Sequence, residues 1–449
     1  MTATAEVRTG EGGTPRASRR ALVAGSVGNF IEWYEFGVYG YFATIIAAQF
    51  FTPEGASDLE ALVKTYASFA LAFFFRPVGA ALFGRVGDRI GRRPTLILVV
   101  LLMSAATAAI GLLPTHAAVG AAAPWLLTLV RVVQGLSAGG EFGGAVSVMT
   151  EFAPPGRRGL YGAWQSFTVA LGLLAGAGLA ALLATVLSEE ALHDWGWRLP
   201  FLLAVPLGAV ALWLRLGLEE TPSFRRSAGR GPGGPRTGPA AASAAVARPS
   251  AAETLRAVAA GVGRLMGWSA AGYTFLVVMP SYLQTTLGAS FREALVATVV
   301  ANAGFALAIL PAGALSDRIG RRAVMGAGTV LLIVLAFPLL NLLQDPGSST
   351  AARSAAVFAA GAAVGLLAGP GPAMLAEMFP TTVRYTGLGL AYSLSNAVFS
   401  GSAGLVITEL IKRTGDADIP AWYVAAVCAV GLPALLTLRG DDHRRALRD

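Results

Sequence analysis

Ionisable side chains interrupt long apolar stretches in the first half of the chain, and their chemistry is the most informative in the sequence. They are Glu32, Glu35, Arg76, Arg131 and Glu141. A charged side chain inside a membrane is costly, so it usually faces a bundle interior, pairs with another charge and marks the path of an ion or solute. These residues therefore predict binding or proton transfer within a bilayer.

A buried carboxyl group can carry a proton when two opposing influences are balanced. Loss of hydration favours the neutral acid, whereas a nearby arginine favours the carboxylate. We predict that Glu35 and Glu141 are the proton-coupling residues, with Glu32 as the third candidate. The alternative is a static ion pair that only fixes how the helices pack.

A buried arginine suits a carboxylate ligand, because its planar guanidinium group stays charged and can donate to both oxygens. Arg131 is the best candidate for substrate binding, and Arg76 is the second, although it could instead brace the end of its helix. Helical spacing places Tyr39 on the face of Glu35 and Gln134 on the face of Arg131. We expect both side chains to contribute to the same site.

The apolar stretches of the second half carry few charges, so their polar and aromatic side chains are the remaining candidates for a pocket lining. Most of them are expected to make ordinary contacts between helices. We select four for substrate contact, namely Tyr273, Asn302, Tyr392 and Asn396. The imbalance suggests that the first half handles charge while the second half shapes the pocket.

The composition indicates which elements carry these residues. Of 449 residues, 55% are hydrophobic and only 13% are charged, whereas a soluble protein has about 25% charged residues. An apolar run of about 20 residues can cross a bilayer as a helix. Twelve such runs lie at 21–50, 61–83, 95–113, 122–150, 160–186, 197–217, 262–287, 294–315, 323–343, 354–376, 385–411 and 421–438. The predicted fold is an all-α integral membrane protein with twelve transmembrane helices.

Two pairs of cationic loops indicate that the chain is duplicated. The hairpin at 84–93 (GRVGDRIGRR) returns at 313–322 (GALSDRIGRR), and the Glu, Pro and Arg of 151–158 return with the same spacing at 377–384. Short arginine-rich loops stay on the cytoplasmic side. Matched loops at matched places predict two six-helix halves of like topology.

The remaining segments complete the expected organisation. We predict a disordered N-terminus at 1–18, one bundle at 19–218, a flexible linker rich in Gly, Pro, Ala and Arg at 219–252, a second bundle at 253–439 and a tail at 440–449. The net charge of +8 follows the positive-inside pattern, which places both termini in the cytoplasm and argues against nucleic acid binding. The single Cys428 excludes a disulfide framework within one chain.

A resemblance that covers nearly the whole chain is carried by distinctive short motifs, which crowd into the first half. They are 28–36 (GNFIEWYEF), 76–79 (RPVG), the hairpin at 84–93, 131–141 (RVVQGLSAGGE), 195–201 (WGWRLPF) and 220–222 (ETP). In these motifs the chain resembles the major facilitator superfamily and, within it, the metabolite:proton symporter family. The resemblance implies two six-helix bundles around a central cavity, alternating access and coupling to protons.

The resemblance also implies a cytoplasmic gate built from the paired loops, which latches in the outward-facing state. The alternative is that their arginines set topology alone, but topology needs no acid. The residues assigned to the gate are Asp88, Arg89, Arg92, Glu151, Arg158, Asp317, Arg318, Arg321, Glu377 and Arg384.

The expected function is proton-coupled uptake of a small organic acid or zwitterion across a bacterial inner membrane. The alternatives are proton-antiport efflux of a drug or metabolite, and a nutrient sensor that does not transport. We find no metal-ligand spacing, nucleophile motif or phosphate-binding loop, so we predict no enzyme activity. We expect a monomer in the lipid bilayer, a carboxylate-bearing substrate, no nucleic acid partner, and no cofactor besides the coupling proton.

Overall fold

The computed structural model describes most of the chain. The described residues are 15–52, 57–90, 92–140, 142, 146, 149–150, 153–154, 156–216, 250–380, 383–441 and 444. The expected linker at 219–252 and the ends of the chain lie mostly outside them.

Six longer helices make up most of the described residues of the first half. They are α1 (Pro15–Tyr41), α2 (Asp58–Ile90), α3 (Arg92–Leu112), α4 (Ala122–Ser137), α5 (Arg158–Val186) and α6 (Ala204–Leu216). A short helix, Ala43–Ile46, and a π-helical turn, Ala47–Phe51, extend α1. The segment Leu199–Leu202 precedes α6.

The second half repeats this order. Its helices are α7 (Ala251–Tyr273), α8 (Phe291–Ile319), α9 (Arg321–Gln344), α10 (Thr350–Ala368), α11 (Arg384–Ser395) and α12 (Ile419–Leu436). Two further π-helical turns, Thr274–Val278 and Asn396–Gly401, continue α7 and α11. These lead into Met279–Thr285 and Ala403–Thr414, and Gly371–Met378 continues α10.

The ends of two helices differ slightly from the expected segment boundaries. Helix α1 begins at Pro15, inside the segment that was expected to be disordered. Helix α7 begins at Ala251, before the expected end of the linker, because Ser250 accepts from the Glu253 backbone while the Glu253 side chain accepts from the Ser250 backbone. The hydrogen bonds that the Glu253 carboxylate accepts from Ser250, first from its backbone N–H and then from its hydroxyl, hold the pKa of Glu253 below its usual value.

Nine helical stretches of the described chain are long and apolar enough to cross a membrane. They include α2, α3, α5, α8, α9 and α12, together with the stretches that contain α6, α10 and α11. The other three expected spans fall on α1 and α7, which carry several charged residues, and on α4, after which the description is interrupted. The prediction of an all-α membrane protein is confirmed.

Close helix crossings position the functional side chains. A Cβ atom on Gly135 of α4 would collide with the Ala72 carbonyl oxygen of α2, and one on Gly139 would collide with that of Arg76. Between the halves, α5 packs along α8, and α2 packs against the continuation of α11. Small residues at a crossing allow two backbones to approach closely. The first crossing brings Arg76 beside α4, and the others join the two halves.

Candidate functional site

Arg131 lies fully buried in the first half, where its guanidinium group faces aromatic rings. Its Cζ atom lies 4.1 Å from the ring centroid of Tyr39 and 4.9 Å from that of Phe69. Its Nη1 donates to Gln134 Oε1 at 2.6 Å. Within the described part of the chain, its Nε and Nη2 have no hydrogen-bond partner. Ring faces stabilise the cation, while these N–H groups can still donate to an acceptor.

Arg76 lies beside the same rings and is paired with an acid. Its Cζ atom lies 4.2 Å from the ring centroid of Phe36 and 4.3 Å from that of Phe73. Its Nη2 lies 3.3 Å from Glu32 Oε1, with both side chains less than a tenth exposed. We call Phe36, Tyr39, Phe69 and Phe73 the aromatic box. Within it, Arg76 neutralises Glu32, and Arg131 occupies the other side.

Glu35 is also fully buried, but it faces α3 rather than the aromatic box. Its Oε2 accepts from Thr107 Oγ1 at 2.6 Å, and its Oε1 accepts from Ser104 Oγ at 3.2 Å. Thr107 Oγ1 in turn accepts from Gln134 Nε2 at 2.6 Å. Since Gln134 also accepts from Arg131, an unbroken series of hydrogen bonds joins the Glu35 carboxylate to the Arg131 guanidinium group.

Charged and aromatic residues, on which the predicted site rests, do not point to Ser104 and Thr107. The sequence nevertheless contains a weak indication of their role. They are hydroxyl residues three positions apart in the apolar run 95–113, and that spacing places them on one helix face. A buried acid elsewhere in the bundle needs hydrogen-bond donors, so paired hydroxyls on a neighbouring span were candidates.

A small cavity lies between the two halves and has a volume of about 30 Å³. Three of the residues selected from the second half line it, namely Tyr273, Tyr392 and Asn396. The rest of its lining consists of Trp33, Val169, Leu173, Trp268, Ser269, Gly272, Leu276, Val277, Phe305 and Ser400. The lining is therefore largely aromatic and aliphatic, with a few amide and hydroxyl groups.

One layer of rings separates this cavity from the two arginines. Tyr273 packs 5.4 Å from Phe73 and 6.1 Å from Trp33, measured between ring centroids. Arg76 Cζ lies on the other side, 5.7 Å from the Trp33 ring. Neither Arg76 nor Arg131 lines the cavity in this arrangement. A ligand in the cavity reaches a guanidinium group only after these rings move.

Asn302 takes a different position from the other selected residues. Its Nδ2 donates to the Thr298 carbonyl oxygen at 3.0 Å and to Tyr41 Oη, across the two halves, at 3.4 Å. Its Oδ1 is buried and has no hydrogen-bond partner among the residues described. Asn302 is thus a contact between the halves at the edge of the cavity rather than part of its lining.

The two halves meet on both sides of the cavity. We call the end that carries the paired cationic loops the hairpin end, and the opposite one the far end. At the far end, Tyr66 Oη lies 2.7 Å from Ser281 Oγ, and Thr44 Oγ1 donates to Gln284 Oε1 at 3.0 Å. Each bond joins the first half to the second, so the halves are in contact at the far end.

Charged residues join the halves at the hairpin end. Asp317 of α8 accepts from the backbone N–H groups of Gly159 and Leu160, at 2.7 and 2.9 Å, at the start of α5. Arg321 Nη1 lies 2.8 Å from Asp317 Oδ1, and its Nη2 lies 3.0 Å from Glu377 Oε1. We call Arg158, Asp317, Arg321 and Glu377 the hairpin-end network, since Arg158 Nη1 lies 3.6 Å from Glu377.

The other residues assigned to a gate are placed less centrally or lie outside the description. Arg318 is exposed at the end of α8, and Arg384 Nε donates to the Phe379 carbonyl oxygen at 3.2 Å. The side chains of Asp88, Arg89, Arg92, Glu141 and Glu151 lie outside the described part of the chain. For Glu141 and the first hairpin, the sequence-based assignments therefore stay predictions.

An aromatic contact closes the hairpin side of the cavity, and it too was missed. The rings of Phe142 and Tyr392 are stacked with centroids 3.4 Å apart and planes at 4°. Phe142 belongs to the first half and Tyr392 to the second. No local pattern relates two aromatic residues so distant in sequence, although Tyr392 by itself is one of the residues selected for substrate contact.

Comparisons with known proteins agree with this architecture. A family model described as Sugar (and other) transporter matches residues 21–233. A second, described as Major Facilitator Superfamily, matches residues 264–448. The two matches fall on the two six-helix halves.

Curated relatives are similar over almost the whole chain. The proline/betaine transporter of Escherichia coli strain K12 is 33% identical over 426 residues, which cover 95% of this chain and 84% of the relative. The citrate-proton symporter of Salmonella typhi is 34% identical over 432 residues, which cover 95% and 96%. The ectoine/proline transporter of Corynebacterium glutamicum is 35% identical over 452 residues, which cover 96% and 86%.

Solved structures share the fold at lower identity. The crystal structure of a D-xylose-proton symporter superposes with a TM-score of 0.76 at 18% sequence identity, covering 96% of this chain and 100% of that chain. At this identity the likeness concerns the fold alone. Together with the relatives above 30% identity, it establishes that the chain belongs to the major facilitator superfamily, within its metabolite:proton symporter family.

Proposed function

We propose that this protein is a proton symporter that takes up a small organic acid or zwitterion by alternating access across the inner membrane of a bacterium. Its two halves would be the bundles at 19–218 and 253–439, joined by the linker at 219–252, with both termini in the cytoplasm. The protein would act as a monomer.

The observation that carries this proposal is the environment of Arg131. Its guanidinium group is fully buried among rings, and within the described residues two of its nitrogen atoms have no hydrogen-bond partner. A buried donor without an acceptor is costly, and a carboxylate is the acceptor that best fits a guanidinium fork. A substrate carboxylate that reaches Arg131 once the ring layer opens supplies what this site lacks.

The cavity lining favours a zwitterion over a polyanion. Trp33, Trp268, Tyr273 and Tyr392 present aromatic rings to the cavity, and ring faces attract alkylated ammonium groups. A ligand with one carboxylate and one ammonium group would use Arg131 for the first and these rings for the second. Curated relatives of this chain carry the names of proline, betaine and ectoine transporters, which supports the same class of substrate.

Proton coupling would reside on the buried acids. Glu35 is joined to Arg131 through hydrogen bonds, so its charge is well placed to influence a carboxylate bound there. Glu32 is neutralised by Arg76 and is better suited to positioning that arginine. We retain Glu141 as a second proton carrier on the basis of its sequence position.

An uptake assay in liposomes tests the function directly. Purified protein is reconstituted, an acidic exterior is imposed, and accumulation of radiolabelled L-proline, glycine betaine or citrate is measured against protein-free liposomes. We expect accumulation of one zwitterion, abolished by a protonophore that collapses the gradient. Efflux on acidification of the interior without uptake would indicate antiport, and saturable binding without accumulation would indicate a sensor.

A further inference from the structure

We propose that Thr107 is the hydroxyl switch through which Arg131 senses protonation of Glu35. The inference rests on the proposed function, and it assigns a role to a residue of α3 that contacts neither cavity nor solvent. Thr107, Glu35, Gln134 and Arg131 are all fully buried, so water does not compete for their hydrogen bonds.

The directions of the bonds are fixed by chemistry. A guanidinium group can only donate, so the amide oxygen of Gln134 must face Arg131, at 2.6 Å. The amide NH₂ group of Gln134 must then donate to Thr107 Oγ1, also at 2.6 Å. The hydrogen-bonding direction therefore runs from Arg131 towards Glu35 without an ambiguous step.

Thr107 Oγ1 has three polar neighbours but a single proton to donate. Besides Gln134, these are Glu35 Oε2 at 2.6 Å and the Met103 carbonyl oxygen at 3.0 Å. The carbonyl oxygen can only accept. While Glu35 is ionised, the shorter and charge-assisted bond to the carboxylate takes the hydroxyl proton.

Protonation of Glu35 reverses one of these bonds. A proton from the medium binds Glu35 Oε2, which then donates to Thr107 Oγ1, and the threonine hydroxyl turns to the Met103 carbonyl oxygen. Thr107 keeps its own proton throughout. Its oxygen now accepts from both Glu35 and Gln134, and it has lost the charged acceptor that strengthened its bond to Gln134. Gln134 is held less firmly, and Arg131 becomes easier to detach for a substrate carboxylate.

Other charged groups surround Glu35 and are unchanged by the proposed variants. Among the described residues, Glu32, Tyr34 and Tyr39 lie within about one turn of Glu35 on its own helix. Arg76 of α2 pairs with Glu32, and Arg131 of α4 is connected to Glu35 through Gln134 and Thr107. On α3, the hydroxyls of Ser104 and Thr107 donate to Glu35. Substitution of Thr107 alters the connection between these groups without altering any charge.

The test compares Thr107→Val, which has nearly the same shape but no hydroxyl, with Thr107→Ser, which keeps the hydroxyl. The matched control is Thr329→Val. Thr329 is a fully buried threonine of α9 whose hydroxyl donates to the carbonyl oxygen of Met325, four residues earlier, at 2.8 Å. Each variant is reconstituted, and the KM for uptake of the probe that the wild type accumulates (L-proline, glycine betaine or citrate) is measured across external pH.

We expect the wild type, Thr107→Ser and Thr329→Val to share a KM that falls as the exterior becomes more acidic. In Thr107→Val, the ratio between the KM at the highest and the lowest pH should be about tenfold smaller than in the wild type, because one hydrogen bond to a charged group is removed. Counterflow exchange at uniform pH, which needs no net proton movement, should persist in Thr107→Val and so shows that this variant is folded.

Two results would overturn the inference while leaving the proposed function intact: a wild-type pH dependence in Thr107→Val, or the same flattening in Thr329→Val. If Thr107→Val shows no counterflow, Thr107→Ala is measured in its place. A wild-type pH dependence of KM in Thr107→Ala, or the same flattening in Thr329→Val, would then overturn the inference. Absence of both uptake and counterflow in the wild type would overturn the proposed function, and the inference with it.

Discussion

Asp317 and Gly159 are joined across the interface between the two halves, where Asp317 Oδ1 accepts the backbone N–H of Gly159 at 2.7 Å. The first turn of a helix has N–H groups with no partner inside the helix, and a carboxylate there is stabilised by the helix dipole. Because the acid belongs to α8 and the N–H groups to α5, this bond forms only while the hairpin end is closed.

Replacing Asp317 by asparagine should therefore favour opening at the hairpin end. The amide loses the negative charge that faces Arg321 and the start of α5, and a charged hydrogen bond contributes about 1.5–3 kcal/mol. In a Cys428→Ser background, Ala373→Cys reports opening, since Ala373 packs against Gly162 between the halves. Alkylation of this cysteine by a membrane-impermeant maleimide should accelerate about tenfold or more.

The control for this experiment is Asp345→Asn. Asp345 also accepts a backbone N–H, that of Gly347, but within its own exposed loop. The Asp345→Asn substitution should leave the alkylation rate of the cysteine at position 373 unchanged. Equal rates in Asp317→Asn and the parent protein would show that the contact between Asp317 and α5 does not hold the hairpin end closed.

Removing the cation at the centre of the hairpin-end network should destabilise the fold. Arg321 is 1% exposed and contacts both Asp317 and Glu377, so Arg321→Ala leaves two buried acids without their nearest cation. Breaking a buried pair costs about 3–5 kcal/mol in free energy of unfolding. A large drop in Tm is expected in detergent, with a smaller drop for Arg321→Lys, which keeps the charge but not the fork. Arg318→Ala, at an exposed neighbouring residue, should leave Tm unchanged. A similar drop in Tm in that variant would argue for a general effect of removing a positive charge.

The crossing of α5 and α8 should not tolerate a methyl group at Gly159. A Cβ atom there would collide with the Gly313 carbonyl oxygen and crowd Ser316 Oγ at 2.6 Å. Gly159→Ala should separate the two halves at the hairpin end and reduce uptake by about tenfold or more. Gly178→Ala is the control on the same helix, because nothing lies within 4 Å of its added Cβ. Normal uptake by Gly159→Ala would mean that the halves need not approach so closely.

Exchanging Arg131 for lysine tests its role as the carboxylate ligand. Lysine keeps the charge but cannot donate two parallel bonds, so the KM for a zwitterionic probe should rise by about tenfold. Arg198→Lys provides the comparison, since Arg198 donates to the backbone carbonyl oxygens of Gly111 and Leu113 at 2.8 and 2.9 Å. A KM that rises equally in both variants, or in neither, would argue against substrate binding at Arg131.

Charge and hydropathy predict much of this arrangement, because an ionised residue in an apolar run must face the interior of the bundle rather than lipid. The positions of the helices and the burial of Glu32, Glu35, Arg76 and Arg131 followed from that constraint. The hydrogen-bond and ion-pair partners of these four residues did not follow from it. Helical spacing assigns a residue to a face, but it does not say which of several neighbouring helices that face meets.

The contacts that the sequence does not predict have a common physical cause. Thr107 looked like a mild polar residue in an apolar run, and its importance depends on lying 2.6 Å from Glu35 on another helix. The stack of Phe142 on Tyr392 depends on the docking of one half against the other. Interactions between helices that are remote in sequence are decided by packing, which no local pattern reports.

A void of about 30 Å³ has room for only about two water molecules. An amino acid or a betaine has several times as many heavy atoms, so a solute of that class fits between the halves only if the rings that line the cavity, Trp33 and Tyr273 among them, move apart. Trp33 belongs to the first half and Tyr273 to the second, with ring centroids 6.1 Å apart, so entry of such a solute is coupled to separation of the two halves.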